Sequence, residues 1–312
     1  MVEARRVTVF GGSGFIGRHV VRRLARGGDV VTVVARHDAP FLQPMGGVGQ
    51  IVLRRGNFGD TALMRQAVAG ADAVVNLVGI LAETGGQRFD AIQHQGAGRI
   101  AEAAAAAGVA RMVQISAIGA DQSSRSLYAR TKALGEAAVA SAFPAATILR
   151  PSIVFGPEDR FFNRFAAMAR HFDALPLIGG GTARFQPVYV GDVADAVLAA
   201  LARPDARGRI YELGGPEVLS FRALMTLMLH EIGRPNTLLI PLPFAVASVL
   251  AFFAEHAPGA PLTRDQVVLL RADNVVAATA LSLSDLGVPP TPLGVVLSSY
   301  LARYRKREYV AV

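Results

Sequence analysis

Apolar residues in the first half of the chain fall into short β-branched runs, each followed by a longer stretch where small apolar residues recur at helical spacing. Residues 7–10, 30–35, 50–53, 73–78, 112–115 and 146–149 read as strands, and 14–27, 60–69, 89–107 and 127–142 as the helices between them. Buried strands alternating with helices predict an α/β fold of Rossmann type, a doubly wound parallel sheet. After Arg150-Pro151 prolines and glycines thicken and the alternation breaks down. The pattern therefore predicts a first domain over residues 1–150, rejoined by about 186–203, where 186–190 is strand-like and a helix begins at Asp192. Residues 151–312 form a smaller, irregular second domain.

One stretch is apolar on every side. Leu238-Leu239-Ile240-Pro241-Leu242-Pro243 leads into an uncharged helical run over 244–254. At about 1.5 Å per residue that run reaches roughly 18 Å, too short for a bilayer core of about 30 Å. It reads as a buried helix of the second domain, or as a helix lying in a membrane interface or against a partner.

Composition narrows the classes. The 312 residues are 52% hydrophobic, enough for a sizeable core. Cysteine is absent, which excludes disulfides and thiolate metal sites, and no other metal motif is present. An apolar run starts at Val7, leaving no room before it for a targeting segment, so the expected location is cytoplasmic. The formal charge of +8 fits a plain basic surface, a phosphorylated cofactor, an anionic membrane surface or nucleic acid. Nucleic acid is disfavoured. The arginines are scattered apart from the tail Arg303, Arg305, Lys306 and Arg307, aromatic residues are only 7% of the chain, and no nucleic-acid motif accompanies the charge.

The first strand runs directly into Gly11-Gly12-Ser13-Gly14-Phe15-Ile16-Gly17. Glycines at this spacing let backbone turn tightly and approach a pyrophosphate, and the following helix aims its free N–H groups at that anion. The strand–glycine–helix context makes residues 1–150 a dinucleotide-binding domain and the second domain its substrate side. The second strand ends at Ala35-Arg36. An NAD site carries an acid near this point for the ribose 2′-hydroxyl, whereas Arg36 suits a 2′-phosphate, with Arg18 as a second cation. NADP(H) is favoured, and NAD(H) stays open if Arg36 is a surface residue and Asp38 takes the ribose. Asn57 and Phe58 follow the third strand and are placed to meet the adenine. Leu77, Val78 and Gly79 follow the fourth and would cover its other side.

Tyr128 and Lys132 stand at i and i+4 on one helix face. A nearby ammonium lowers a phenol's pKa, so such a tyrosine can act as general acid or base at a carbinol or carbonyl. The lysine can also bond the nicotinamide ribose. With the glycine motif and the strand order, this pair resembles the short-chain dehydrogenase/reductase superfamily, in its extended or atypical branch, over residues 5–150. The resemblance implies a Ser or Thr just after the fifth strand to polarise the substrate oxygen. Ser116 is available, but the extended enzymes carry the hydroxyl one or two positions later, where Ala117 and Ile118 stand. Ser123, Ser124 and Ser126 precede Tyr128 without a spacing that argues for them.

Residues 149–165 and 185–194, with 211–217 and 261–267, are similar to the nucleotide-binding accessory subunits of respiratory complex I, the NADH:ubiquinone oxidoreductase, across nearly the whole chain. That resemblance implies a structural NADPH without turnover and contact with complex I subunits or the inner-membrane surface through 238–256. Without a presequence it implies a bacterial homologue, peripheral on the cytoplasmic face. Pro151 ends the sixth strand, and the loop through Ile153 passes the nicotinamide end. Phe161, Phe162 and Phe165 form one aromatic face, as domain core or as a cofactor contact. The alternative is an active NAD(P)-dependent oxidoreductase, epimerase or dehydratase using Tyr128 and Lys132 on a small molecule the sequence does not name.

Overall fold

The computed structural model describes residues 4–257 and 262–305. Pro261, Lys306 and Arg307 lie outside them. Strands β1 (Arg6–Phe10), β2 (Val30–Ala35), β3 (Ile51–Arg55), β4 (Ala73–Asn76), β5 (Arg111–Ile115) and β6 (Thr147–Pro151) are separated by helices α1 (Phe15–Arg26), α2 (Thr61–Val68), α3 (Gly96–Ala106) and α4 (Leu127–Ala142). Then come β7 (Val154–Phe155), α5 (Phe162–His171), β8 (Ala174–Ile178), β9 (Arg184–Phe185), β10 (Val188–Tyr189), α6 (Val190–Ala202) and β11 (Ile210–Leu213). The chain closes with β12 (Leu219–Ser220), α7 (Phe221–Glu231), β13 (Leu238–Leu242), α8 (Phe244–Ala254), α9 (Arg264–Leu269) and α10 (Leu293–Leu301).

The chain divides into two compact units. The first is Met1–Pro151, Val190–Leu213 and Ala277–Pro289; the second is Ser152–Tyr189, Gly214–Val276 and Pro290–Val312. The first unit holds a seven-stranded, all-parallel sheet in the order β11-β6-β5-β4-β1-β2-β3. Parallel strands need crossovers that cover both faces. Helices α1 and α6 pack together, tied by Arg23 to Asp195 at 2.6 Å. The layer of α2, α3 and α4 encloses a core of Phe10, Met64, Val74, Ile100, Met112 and Val139. Strand order reverses between β1 and β4, and in such sheets ligands bind outside the carboxyl ends of the strands at that switch point.

Two elements differ from the sequence pattern. The seventh strand, β11, was not anticipated; it adds to β6 with Tyr211 beside Leu149. The long helix over 89–107 is not uniform. Residues 90–95 are π-helical and only then does α3 begin. Its neighbour explains this: a Cβ on Gly135 of α4 would lie 2.1 Å from the Gln93 carbonyl oxygen, so α4 packs backbone to backbone on that turn.

The second unit has its own core. Phe155, Phe162, Phe185 and Phe221 are buried there, with Phe161 and Phe165 packed edge-on around them. The phenylalanine face read from the sequence is thus domain core. The reading of 244–254 as a buried helix is corrected. Only Ala247 and Ala251 of α8 are buried, against Val267 and Ile178, while Val249 is 60% and Phe253 69% exposed. A helix apolar on all sides has no preferred face to bury; its alanine stripe meets α9, whose Arg264 stacks on Phe252.

Candidate functional site

The glycine loop lies at the carboxyl end of β1. Gly11 has φ +77°, a conformation L side chains rarely adopt, and its N–H donates to the Val34 carbonyl at 3.0 Å. A Cβ on Gly17 would fall 2.3 Å from the Gly11 oxygen and 2.6 Å from the Gly12 Cα, so only glycine lets α1 start this close to the turn. Gly12 is nearly as tight, 2.9 Å from Val33 Cγ1. Gly14 differs. It is the N-cap residue of α1, in extended conformation, and a Cβ there would meet only the Gly11 oxygen at 3.2 Å. No side chain caps the helix and no acid lies in its first turn. The amides of Phe15 and Ile16 therefore lack helical acceptors, the condition for holding an anion at a helix start.

At the end of β2, Arg36 is exposed and makes no ion pair or hydrogen bond among the described residues. Asp38 is paired with Arg55 of β3 at 3.7 Å. Arg18 stacks on Phe41, 5.0 Å from its ring centre, and its Nε donates to the Gly14 carbonyl. Asn57 accepts from the Gly59 amide in its own turn. Phe58 is 8% exposed and belongs to the core beneath α2.

The other end gathers around Lys132. A Cβ on Gly11 would lie 3.2 Å from both the Leu77 carbonyl carbon and the Val78 nitrogen; one on Gly79 would lie 3.2 Å from Lys132 Nζ. The glycine loop, the segment Leu77–Val78–Gly79 that follows β4 and the lysine thus lie side by side. Lys132 is buried, and burial pushes its ammonium down to about 8 against the pull of Glu136. It donates to the Ile115 carbonyl at 3.4 Å and lies 5.9 Å from the Tyr128 ring centre. Tyr128 is half-buried against Phe89.

The serines do not join this group. The Ser116 hydroxyl is buried and has no hydrogen-bond partner among the described residues. Ser123 is bonded to Asp121, Ser124 accepts from the Ser126 amide, and Ser126 caps α4 through the Ala129 amide. Pro151 is the last residue of β6, and its carbonyl accepts from the Ile118 amide. Ile153 lies in the second unit, packed on that unit's core.

Two polar residues at the site escaped sequence reasoning. Asn76 and Gln114 face each other across β4 and β5, both buried. Asn76 accepts from the Val78 amide at 3.0 Å and donates to Gln114 at 2.8 Å; Gln114 donates to the Ile115 carbonyl at 2.9 Å. This bonded chain joins the 77–79 segment to the carbonyl that holds Lys132. Its only sequence signal was a pair of amides inside otherwise apolar strands. Glu136, one turn beyond Lys132, is held by a two-bond contact with Arg150, which also reaches Glu212 at 3.6 Å.

These features, glycine loop, β4 strand end and Tyr/Lys helix, all fall within residues 7–214, the segment matched by the model of the NAD dependent epimerase/dehydratase family. The chain belongs to that family. Within the epimerase/dehydratase family it is similar to subunit 9 of the NADH dehydrogenase (ubiquinone) 1 alpha subcomplex from Arabidopsis thaliana mitochondria. The two are 38% identical over 314 residues, covering 96% of this chain and 78% of the relative. The Mus musculus counterpart is 36% identical over 311 residues, covering 97% and 81%. Among solved structures, dTDP-glucose 4,6-dehydratase from Streptomyces venezuelae, with NAD and TYD bound, shares the fold. Its TM-score is 0.74 at 22% identity, covering 96% of each chain. The residues present fit a nicotinamide dinucleotide: an uncapped helix end for the pyrophosphate, a backbone cradle that side chains would fill at Gly11 and Gly17, and Lys132 at the far end. Among the described residues no helix is long and apolar enough to cross a membrane.

Proposed function

We propose that this protein holds NADP(H) as a structural cofactor and acts as an accessory or assembly protein of the complex I type, at the cytoplasmic face of the inner membrane. The dinucleotide spans Gly11–Gly17, Arg36 and Asn57–Phe58 at one end and Leu77–Gly79, Tyr128, Lys132 and Pro151 at the other. A bound nicotinamide supplies hydride chemistry. For this chain to use it, a proton donor and a group polarising the substrate oxygen must both be present. Tyr128 and Lys132 supply the first. The observation that carries the non-catalytic reading is the buried, unpartnered Ser116 hydroxyl, with Ala117 after it. Loss of a polarising donor costs on the order of hundredfold or more in rate. Similarity to the subunit-9 proteins supports complex I as the assembly, and the exposed apolar residues within 238–256 suit contact with its subunits or the membrane surface.

The test is to purify the protein, identify its bound nucleotide, and follow nicotinamide absorbance against a panel of aldehydes, ketones and nucleotide sugars. The expected result is NADP(H) without turnover, and co-purification with complex I from membrane fractions. Sustained turnover that disappears in Tyr128→Phe overturns this reading in favour of an oxidoreductase or epimerase, the reading favoured by the intact Tyr128/Lys132 pair.

The preference for NADP(H) rests on Arg36. Arg36→Ala should weaken NADPH binding roughly ten- to hundredfold, the worth of one charge-assisted hydrogen bond of about 1.5–3 kcal/mol, and leave NADH nearly unaffected. Titration of both dinucleotides checks it; unchanged NADPH affinity removes Arg36 from the site.

A further inference from the structure

The proposed NADP(H) site contains an acid at the place where an NAD site would want one. β2 and β3 run parallel with Ala35 beside Arg55, and the Gly56 amide donates to the Ala35 carbonyl at 3.0 Å. The end of β3 therefore lies against the start of the turn that carries Arg36 and Asp38. A small cavity opens there, lined by Val33, Ala35, His37, Asp38, Arg54 and Arg55 among others. Asp38 is the acid among these lining residues, and Arg55 sits on it at 3.7 Å. Arg36 and Arg54 are exposed and unpaired among the described residues.

Both partners of the ion pair are largely exposed, so the pair adds little to stability. Its consequence is for ligand choice. A free carboxylate here accepts from a ribose 2′-hydroxyl and repels a 2′-phosphate. A carboxylate held by a guanidinium loses part of both effects, and the remaining cations stand unopposed. We propose that Arg55 is a specificity-determining residue: it occupies Asp38 and completes, with Arg36 and Arg54, a cationic rim for the 2′-phosphate of NADP(H). This inference rests on the NADP(H) reading above and adds to it the means by which the competing acid is silenced.

The experiment titrates NADPH and NADH into the full chain, as wild type, Arg55→Leu, Asp38→Asn and the double variant. Arg55→Leu should shift the ratio of the two Kd values toward NADH by about tenfold, weakening NADPH and tightening NADH together. In the Asp38→Asn background the same change should leave NADH affinity where it was, because no carboxylate remains to be freed. Ligand-free melting temperatures should be unchanged across the set, which excludes misfolding as the cause. A wild type that prefers NADPH, with an Arg55→Leu variant of unaltered preference, overturns this inference and leaves the NADP(H) reading standing. A wild type that prefers NADH overturns both.

Discussion

Gly14→Val should abolish dinucleotide binding in a chain that still folds, whereas Gly17→Val should unfold the first unit. The two glycines differ in what surrounds them. A Cβ at Gly17 would enter backbone, 2.3 Å from the Gly11 oxygen and 2.6 Å from the Gly12 Cα, and backbone at a strand–helix junction cannot step aside. Overpacking of this kind costs about 3 kcal/mol or more. At Gly14 the only near atom is the Gly11 oxygen at 3.2 Å, and the extended backbone there suits a β-branched residue. Loss of a favourable N-cap residue costs about 1 kcal/mol. The valine side chain instead projects over the uncapped helix end, where a pyrophosphate would have to approach the amides of Phe15 and Ile16. Thermal melts separate the two outcomes. Wild type should gain about 2.7 kcal/mol from NADPH at a hundredfold excess over Kd. Gly14→Val should melt within a few degrees of ligand-free wild type and gain nothing. Continued stabilisation of Gly14→Val by NADPH would place the phosphate site elsewhere.

This contrast marks how far the site could be read from residue order. Strand, glycine spacing and helix were legible because each is local: Val7 to Gly17 is one uninterrupted stretch. Tyr128 and Lys132 were legible for the same reason, sharing one helix face. Features that depend on strand order were not. Arg55 meets Asp38 only because β3 lies beside β2, and Asn76 meets Gln114 only because β4 lies beside β5 in that register. The seventh strand was hidden by its place at the sheet edge. Ile210 is exposed, Glu212 pairs with Arg150, and only Tyr211 and Leu213 are buried, so no apolar run announces it. The choice between a buried and a surface-lying α8 was not legible because uniform hydropathy records how much apolar surface a segment has, not whether anything covers it. The alanine stripe at Ala247 and Ala251 is its only buried part.

Lys132→Met should stabilise the ligand-free protein at pH 7 and at the same time weaken NADP(H) binding. Lys132 is a buried cation whose ammonium is pushed from 10.5 down to about 8 by loss of water, with Glu136 only partly offsetting this. Its folded pKa therefore lies below its unfolded one. Between about pH 8 and 10.5 the unfolded chain carries a proton the folded chain has released, so stability rises with pH across that window. Below about pH 8 both states are charged and the whole penalty of burying the ammonium is felt. At about 1.36 kcal/mol per pKa unit that penalty comes to roughly 3.4 kcal/mol. Methionine has a similar shape without the charge. It forfeits the bond to the Ile115 carbonyl and the attraction of Glu136, which stays paired with Arg150. The net gain expected at pH 7 is about 1–2 kcal/mol. Urea titrations at pH 7 and pH 10 test the origin: the advantage of Lys132→Met should shrink at pH 10, where wild type has lost most of its burial penalty. NADPH should then stabilise wild type by more than the variant, because the ammonium that weakens the empty fold is the group proposed to meet the nicotinamide ribose. A methionine variant less stable than wild type at pH 7 would mean that the lysine is well compensated within the fold. Its burial beside Gly79 and Tyr128 would then be a matter of packing, with no stability given up for the ligand.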